Sequence, residues 1–147
     1  MNTGIKENTK ISVQVIIEAP VDKVWKTWTT PDDIIRWNAA SDDWHTSKAT
    51  NDLHVGGKFT SRMEAKDGSF GFDFEGFYDK VKINECIEYH LGDDRQVKIT
   101  FSKHGDATIV SETFEVEYTN SIELQKGGWQ AILNNFKKYT EADQVPA

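Results

Sequence analysis

Residues 18–37 read EAPVDKVWKTWTTPDDIIRW, and the spacing of apolar side chains in this stretch decides the fold. Four of them recur at i, i+3, i+4 and i+7, the spacing of one helical face: Val21, Val24, Trp25 and Trp28. Thr30 then stands before Pro31 and two acidic residues, which is typical of a new helix start. The stretch therefore predicts two short consecutive helices.

Strands are predicted on both sides of this helix pair. Residues 11–17 alternate apolar and polar side chains and are rich in β-branched types, which indicates a half-buried strand. Residues 58–64 and 70–79 alternate on either side of a hairpin turn at 66–68. The second of these strands has one aromatic face, made of Phe70, Phe72, Phe74, Gly76 and Tyr78. Further β-like runs cover residues 44–49, 85–91, 96–103 and 107–116, and a meander is the simplest connection between them.

A long amphipathic helix is predicted at the C-terminus. Asn120 followed by Glu123 resembles a capping box, and apolar side chains then recur at helical spacing, at Trp129, Ile132, Leu133 and Phe136. Residues 1–10 are predicted to be a polar leader and residues 142–147 a flexible tail. One domain over residues 1–147 accommodates these elements.

The amino-acid composition limits the classes of protein that fit this sequence. The chain of 147 residues is 37% hydrophobic and 12% aromatic, with a formal net charge of −7. An acidic chain does not favour a nucleic-acid partner, since such binding requires basic patches. The single Cys86 cannot form an internal disulfide, and no apolar run approaches the roughly 20 residues that span a bilayer. A cytoplasmic protein with no membrane insertion is expected.

Several short motifs resemble one known superfamily. Residues 18–25 (EAPVDKVW) and 30–32 (TPD), the latter with Arg36 and Trp37, resemble the START-like SRPBCC superfamily, which includes birch-pollen-allergen-like and polyketide-cyclase-like proteins. Four further stretches resemble the branch of activators of heat-shock protein 90 ATPase homologues: VGGKF at 55–59, FEG at 74–76, ETF at 112–114 and GWQAIL at 128–133. The resemblance covers about residues 11–141.

The resemblance implies an α+β helix-grip fold. In this fold a curved antiparallel sheet of about six to seven strands carries two short helices after the first strand. A long C-terminal helix packs across the sheet over a cavity. Members of the superfamily use this cavity for lipids, sterols, polyketides or phenolic compounds. Some of them catalyse cyclisation or hydration, and the name-giving members are co-chaperones.

Nine side chains are the predicted ligand contacts. They come from the aromatic sheet face, from the region near the expected cavity mouth and from the last helix: Trp37, Trp44, Phe59, Met63, Phe72, Phe74, Trp129, Leu133 and Phe136. A concave apolar site with a few polar anchors is the common form of a small-molecule pocket. The alternative is that each of them simply fills the core, as regularly spaced aromatic residues mostly do.

Polar candidates for anchoring a ligand or moving a proton are more scattered. They are His45, Arg62, Asp73, Glu75, Tyr89, His90 and Glu112. Most alternate onto the face opposite the aromatic one, where solvated cross-strand charges are the simpler interpretation. Glu112 also begins an acidic run, with Glu115, Glu117 and Glu123, that is more typical of a solvated surface.

Metal, cofactor and covalent chemistry are not predicted. The groups Asp42, Asp43, His45 and Asp52, His54 lack a third or fourth ligand at a defined spacing. The glycines of residues 55–58 lead into a strand, so they do not form a phosphate-binding loop before a helix. Cys86 in a β-like run is expected to be a buried inert thiol. No catalytic residue is assigned.

The sequence leaves more than one explanation for two glycine features. Gly127 and Gly128 would each cost about 1 kcal/mol relative to alanine inside a helix. They indicate close helix-to-sheet approach, a gate, or an irregular start of the helix. Gly76, within the aromatic face, indicates a bulge or space for a neighbouring aromatic ring.

Three functional hypotheses follow. The first is a non-enzymatic module that binds a hydrophobic or aromatic small molecule, such as a lipid, polyketide or flavonoid, in the cavity. The second is a cyclase or hydratase in which a buried titratable group transfers a proton. This hypothesis requires such a group on the cavity wall. The third, which rests on the family name alone, is a stress-response protein with a chaperone partner.

Overall fold

The computed structural model describes residues 9–142, and its elements follow the predicted order. They are β1 (Lys10–Ile17), α1 (Val21–Thr29), α2 (Pro31–Trp37), β2 (Trp44–Asn51), β3 (Lys58–Ala65), β4 (Gly71–Lys82), β5 (Cys86–Leu91), β6 (Gln96–His104), β7 (Ala107–Glu115) and α3 (Ile122–Ala142). The predicted leader and tail lie outside the described residues, apart from residues 9, 10 and 142. No helix within residues 9–142 is long and apolar enough to cross a membrane.

The strands form one antiparallel sheet in the order β1-β7-β6-β5-β4-β3-β2. Strands β2 to β7 are the predicted meander. The first strand pairs with β7, with Lys10 opposite Glu115 and Ile17 opposite Thr108. The helix pair α1–α2 carries the chain from β1 at one edge of the sheet to β2 at the other. The first and second strands of the chain are therefore the two edge strands of the sheet.

Strand register separates an apolar inner face from a charged outer face. Phe59 lies opposite Gly76, Ser61 opposite Phe74 and Met63 opposite Phe72, as the alternation of the sequence predicted. Register shifts occur between Thr46 and Lys48 and between Tyr78 and Lys80. Irregularities of this kind bend and twist the strand that carries them. The inner face is accordingly concave towards α3.

The outer face carries ion pairs between neighbouring strands. Lys58 Nζ lies 3.1 Å from Glu75 Oε2, and Arg62 Nη1 lies 3.5 Å from Asp73 Oδ1. These side chains are all substantially exposed, as the prediction of solvated cross-strand charges requires. They stabilise the sheet weakly and leave the inner face to apolar groups.

The start of α3 differs by one residue from the predicted one. The backbone N–H of Leu124 donates to Ser121 Oγ at 3.1 Å, so Ser121 rather than Asn120 caps the helix. Gln125, which is buried, fixes the preceding loop by donating to the carbonyl oxygens of Glu117 and Asn120 at 3.0 and 2.9 Å. The entry of the helix is therefore tied to the end of β7.

The second half of α3 is held by polar contacts to β1 and α2. Asn135 Nδ2 donates to the Trp37 carbonyl oxygen at 2.8 Å, and Lys137 Nζ donates to that of Ile16 at 2.5 Å. Glu141 Oε2 accepts a bond from the backbone N–H of Glu18 at 2.8 Å. The helix is therefore still anchored at Glu141, directly before the predicted tail. These bonds fix the C-terminal half of α3. The N-terminal half of the helix lies across the sheet.

Candidate ligand-binding cavity

A cavity of about 420 Å³ lies between the concave face of the sheet and the first half of α3. Its wall is mainly aromatic and aliphatic, with a minority of polar groups. The members that are exposed, and so mark where the cavity opens, are Ala40, Thr50, Phe72, Asn120 and Leu124. Protein interiors are normally close-packed with few voids larger than a water molecule. A space of this size falls within the range of small-molecule pockets.

Six of the nine predicted contact residues line this cavity. They are Trp37, Phe59, Met63, Phe72, Phe74 and Trp129. The strand alternation placed the sheet members correctly, because residues of one parity face the same side. Their contact with a ligand stays a prediction.

Leu133 and Phe136 do not line the cavity. Both are fully buried, and the Phe136 ring packs edge-on against Trp28 and Trp37, with centroids 4.9 and 4.8 Å away. The prediction treated the apolar stripe of α3 as a single surface. The first half of that stripe, with Trp129 and Ile132, faces the cavity, whereas the second half packs against the α1–α2 helices.

Trp44 also lies outside the cavity wall. Its ring centroid is 6.0 Å from those of Phe70 and Phe72, and Phe70 is 62% exposed. These residues extend the aromatic face to the end of the β3–β4 hairpin, beyond the part that α3 covers. Only Phe72 among them reaches the cavity.

Gly76 makes room for the ring of Phe59. A Cβ atom at Gly76 would lie 2.5 Å from Phe59 Cε2 and 3.0 Å from Tyr89 Cδ1. Phe59 packs edge-on against Tyr89 with centroids 4.7 Å apart. The prediction that this glycine leaves space for an aromatic neighbour is confirmed.

Trp129 connects the helix to two separate strands. Its indole stacks on Phe114 of β7, with centroids 4.0 Å apart and planes 11° from parallel. The same indole lies 6.3 Å, edge-on, from Phe74 of β4. Since β6 and β5 stand between those strands in the sheet order, the indole spans the hollow of the sheet. It thereby forms part of the cavity wall.

Glu112 is a buried acid on this wall. Its cross-strand neighbours are Val13 and Ile99, and the residue is only 4% exposed. The loss of hydration raises the pKa of its carboxyl from the ordinary 4.5 to about 8. At neutral pH the carboxyl is therefore mostly uncharged and carries a proton that it can donate.

Two tyrosines accompany Glu112 on the wall. Tyr89 lies opposite Tyr78 on the inner face. Burial is the main cause that raises the pKa of the Tyr89 phenol well above its usual value, and the nearby Glu112 raises it further. Burial likewise raises the pKa of Tyr78, whose hydroxyl donates to Asn51 Oδ1 at 2.5 Å. Both phenols remain protonated donors at physiological pH.

Charged groups line one side of the cavity at the loops. Arg95, which follows β5, bonds Asp93 through Nε at 2.7 Å. Glu117 belongs to the loop before α3, where its carboxylate accepts the backbone N–H of Thr119 at 3.1 Å. Both are lining residues. The polar end of the cavity is thus made by the turn after β5 and the loop after β7.

Close packing does not explain the glycine pair in α3. A Cβ atom at Gly127 or Gly128 would meet no atom within 4 Å. Of the three explanations left open by the sequence, close approach of helix and sheet is therefore excluded. Gly128 lines the cavity, so its missing side chain leaves part of that space open.

The remaining polar candidates lie on the outer face. His45 Nε2 is 3.6 Å from Glu64 Oε1, and His90 Nδ1 is 2.9 Å from Asp79 Oδ1. Cys86 is buried, and that burial raises the pKa of its thiol, so it stays protonated. Across residues 9–142, no three His, Cys, Asp or Glu side chains are grouped so as to hold a metal ion.

Sequence reasoning gave little weight to Glu112 and missed several wall residues, among them Trp28, Ile34, Ile87 and Ile132. A signal for Glu112 was present. Val110, Phe114 and Val116 are buried at alternating positions of the same strand, so Glu112 shares their parity. Grouping it with the nearby acids of the loop hid that alternation.

The architecture places the chain in a known structural class. A seven-stranded antiparallel sheet holding two short helices and a long C-terminal helix over a cavity is the helix-grip, START-like fold. Residues 18–141 match the family model described as Activator of Hsp90 ATPase homolog 1-like protein. The chain belongs to that family, and the resemblance stated above is confirmed.

Solved structures agree with this assignment. The AHSA1-like protein from Aeromonas hydrophila is 44% identical with a TM-score of 0.88, over 94% of this chain and 96% of that one. A Cytophaga hutchinsonii protein is 53% identical with a TM-score of 0.79, over 92% and 94% of the two chains. A Nitrosomonas europaea protein at 16% identity, with a TM-score of 0.79 over 95% and 99%, shares the fold. A comparison with curated proteins finds no match.

Proposed function

We propose that this protein binds a hydrophobic or aromatic small molecule in the cavity between the sheet and α3. The observation that carries the proposal is the cavity itself, of about 420 Å³ with aromatic rings over much of its wall. Burial of a ligand's apolar surface there contributes roughly 25 cal/mol per Å² before the losses of freedom on binding. A lipid, polyketide or flavonoid-like compound has the required apolar surface.

A thermal-shift panel of fatty acids, sterols, flavonoids and aromatic polyketides tests the proposal, with tryptophan quenching as a second measurement. A ligand that binds only the folded state must raise the apparent stability. Trp28, Trp37 and Trp129 line the cavity, so quenching is expected on binding. We expect one chemical class to raise the melting temperature.

A cavity-filling variant gives the test its specificity. Ser61 is buried and lines the cavity, so Ser61→Phe would place a ring in the ligand's space. Thr60→Phe is the matched control, because Thr60 lies next to it on the outer face. Loss of the ligand's effect in the first variant alone supports the proposal. No shift from any class with the unaltered protein would contradict it and favour a protein partner such as a chaperone.

Proton-transfer catalysis on the bound molecule is the second candidate. Glu112 and Tyr89 favour it, because they put protonated groups on the cavity wall. A general acid is most effective when its pKa lies near the working pH. Incubation of the ligand found above with protein, followed by mass spectrometry, tests for turnover. If the ligand is unchanged after prolonged incubation, catalysis is excluded and binding remains as the proposed function.

A further inference from the structure

The carboxyl group of Glu112 lacks a partner within the chain. Across residues 9–142, no hydrogen bond or ion pair joins it to another side chain or to the backbone. A polar group without a partner in the protein must be hydrated or meet a ligand group, since a buried one left without a hydrogen bond costs about 1–3 kcal/mol. Val110 and Phe114, its neighbours on the same face of β7, are fully buried apolar residues. An apolar side chain at position 112 would continue this wall and would need no such partner.

The cavity is the place where Glu112 can find a partner. Glu112 is a lining residue, and its cross-strand neighbours Val13 and Ile99 offer it no hydrogen-bonding side chain. The other titratable or charged groups that line the cavity are Tyr78, Tyr89, Arg95 and Glu117. Arg95 is already paired with Asp93 and the hydroxyl of Tyr78 with Asn51. The acid is thus positioned to meet a group that enters from outside.

The state of the acid defines what that group must be. Burial keeps Glu112 mainly protonated at neutral pH, so its free function is an O–H donor. The matching ligand group is a neutral acceptor oxygen. An anionic group would meet the apolar strand wall around Glu112, where an unpaired charge is very costly. The remainder of the ligand must be apolar to match the aromatic wall.

We propose that Glu112 donates a hydrogen bond to a neutral acceptor oxygen, such as a ketone, on an otherwise apolar aromatic ligand. This inference rests on the proposed function and names the ligand class of that site.

A matched ligand pair tests the inference directly. Benzophenone and diphenylmethane have the same two rings and differ in one carbonyl oxygen. Their dissociation constants are measured by tryptophan quenching with the unaltered protein, Glu112→Gln and Glu112→Leu. Glu123→Gln, which removes an exposed acid outside the cavity wall, is the control for loss of charge.

We expect the unaltered protein to bind benzophenone roughly five- to tenfold more tightly, the contribution of one good hydrogen bond. Glu112→Gln keeps a donor and should keep this preference. Glu112→Leu should bind both compounds equally while still binding diphenylmethane. If that variant fails to fold, the pH dependence of the unaltered protein replaces it. Above pH 8 its preference should disappear, whereas Glu112→Gln should retain its own.

The outcomes separate the two claims. Equal binding of both compounds by the unaltered protein overturns the inference and leaves the proposed function standing. If neither compound binds and no member of the ligand panel binds either, both claims are overturned. The amine benzhydrylamine provides a third arm. Tighter binding of this amine than of benzophenone, lost in Glu112→Gln, would mean that Glu112 binds cations as a carboxylate, and would overturn the inference.

Discussion

The indole of Trp129 lies parallel to the ring of Phe114, with centroids 4.0 Å apart. This stack joins the first half of α3 to β7, and the edge-on contact with Phe74 extends it to β4. The side chain of Trp129 therefore connects α3 to two strands on the concave face of the sheet. We expect the packing of α3 on the sheet to depend on this side chain.

Removal of that side chain tests its structural role. Trp129→Ala is expected to lower the free energy of unfolding by about 2–4 kcal/mol, because it deletes both ring contacts and a large apolar surface. Urea unfolding measures the loss. Trp44→Ala is the matched control, since Trp44 packs only at the exposed end of the hairpin, and it should cost about 1 kcal/mol or less. Equal losses would contradict the bridging role.

Glu112 should make stability fall with rising pH. Its pKa is raised from 4.5 to about 8 in the folded protein, so between these values the unfolded chain loses a proton that the folded one keeps. The folded state then becomes less stable by up to about 1.4 kcal/mol per pH unit. The effect is absent below about pH 4.5 and levels off above pH 8.

Glu112→Gln removes this dependence and so isolates it. Relative to the unaltered protein, the variant should gain about 3 kcal/mol in unfolding free energy on going from pH 5.0 to pH 7.5. Urea unfolding at both pH values measures the difference, with Glu123→Gln as the control for charge. A gap between variant and parent that is the same at both pH values would show that Glu112 titrates as an ordinary exposed acid.

The glycine pair of α3 should tolerate alanine. Nothing lies within 4 Å of a Cβ atom at Gly127 or Gly128, and alanine is favoured over glycine in a helix by about 1 kcal/mol. Gly127→Ala and Gly128→Ala should each raise the unfolding free energy by up to about that amount. Only Gly128→Ala should weaken ligand binding, because only Gly128 lines the cavity. Destabilisation by either variant would indicate that the helix requires a bend there.

Gly76 and Phe59 should be energetically coupled. Gly76→Ala brings a methyl group to 2.5 Å from the Phe59 ring, and such overpacking typically costs about 1–3 kcal/mol. Phe59→Leu removes the ring and should recover part of that loss in the double variant. A double-mutant cycle of unfolding free energies measures the coupling. Additive effects would mean that the backbone, rather than the ring, requires glycine.

The order of the elements was predictable because each carries a clear period. Alternation fixed the inner parity of β3 and β4, and the helical spacing from Val21 to Trp28 predicted α1. Helical spacing alone did not separate the two halves of α3. Trp129 and Phe136 belong to one apolar stripe, but only the packing of α1 and α2 shows that Phe136 lies away from the cavity.

The polar part of the candidate site was harder to predict for a physical reason. An acidic residue in a strand is usually exposed, so Glu112 was grouped with neighbouring surface acids. Its burial follows from the register with Val13 and Ile99, which depends on the pairing of β1 with β7 and of β7 with β6. Those pairings join distant segments of the chain, and no local pattern contains them.

The most direct test of the central claim is a methyl NMR experiment that locates the bound ligand. With a compound selected by the thermal-shift panel, nuclear Overhauser contacts are measured from its protons to isoleucine methyl groups. Ile87 and Ile132 line the cavity, whereas Ile16 and Ile83 are exposed elsewhere. Contacts to the first pair and none to the second are expected. Contacts confined to exposed isoleucines, or to none, would contradict a binding site between the sheet and α3.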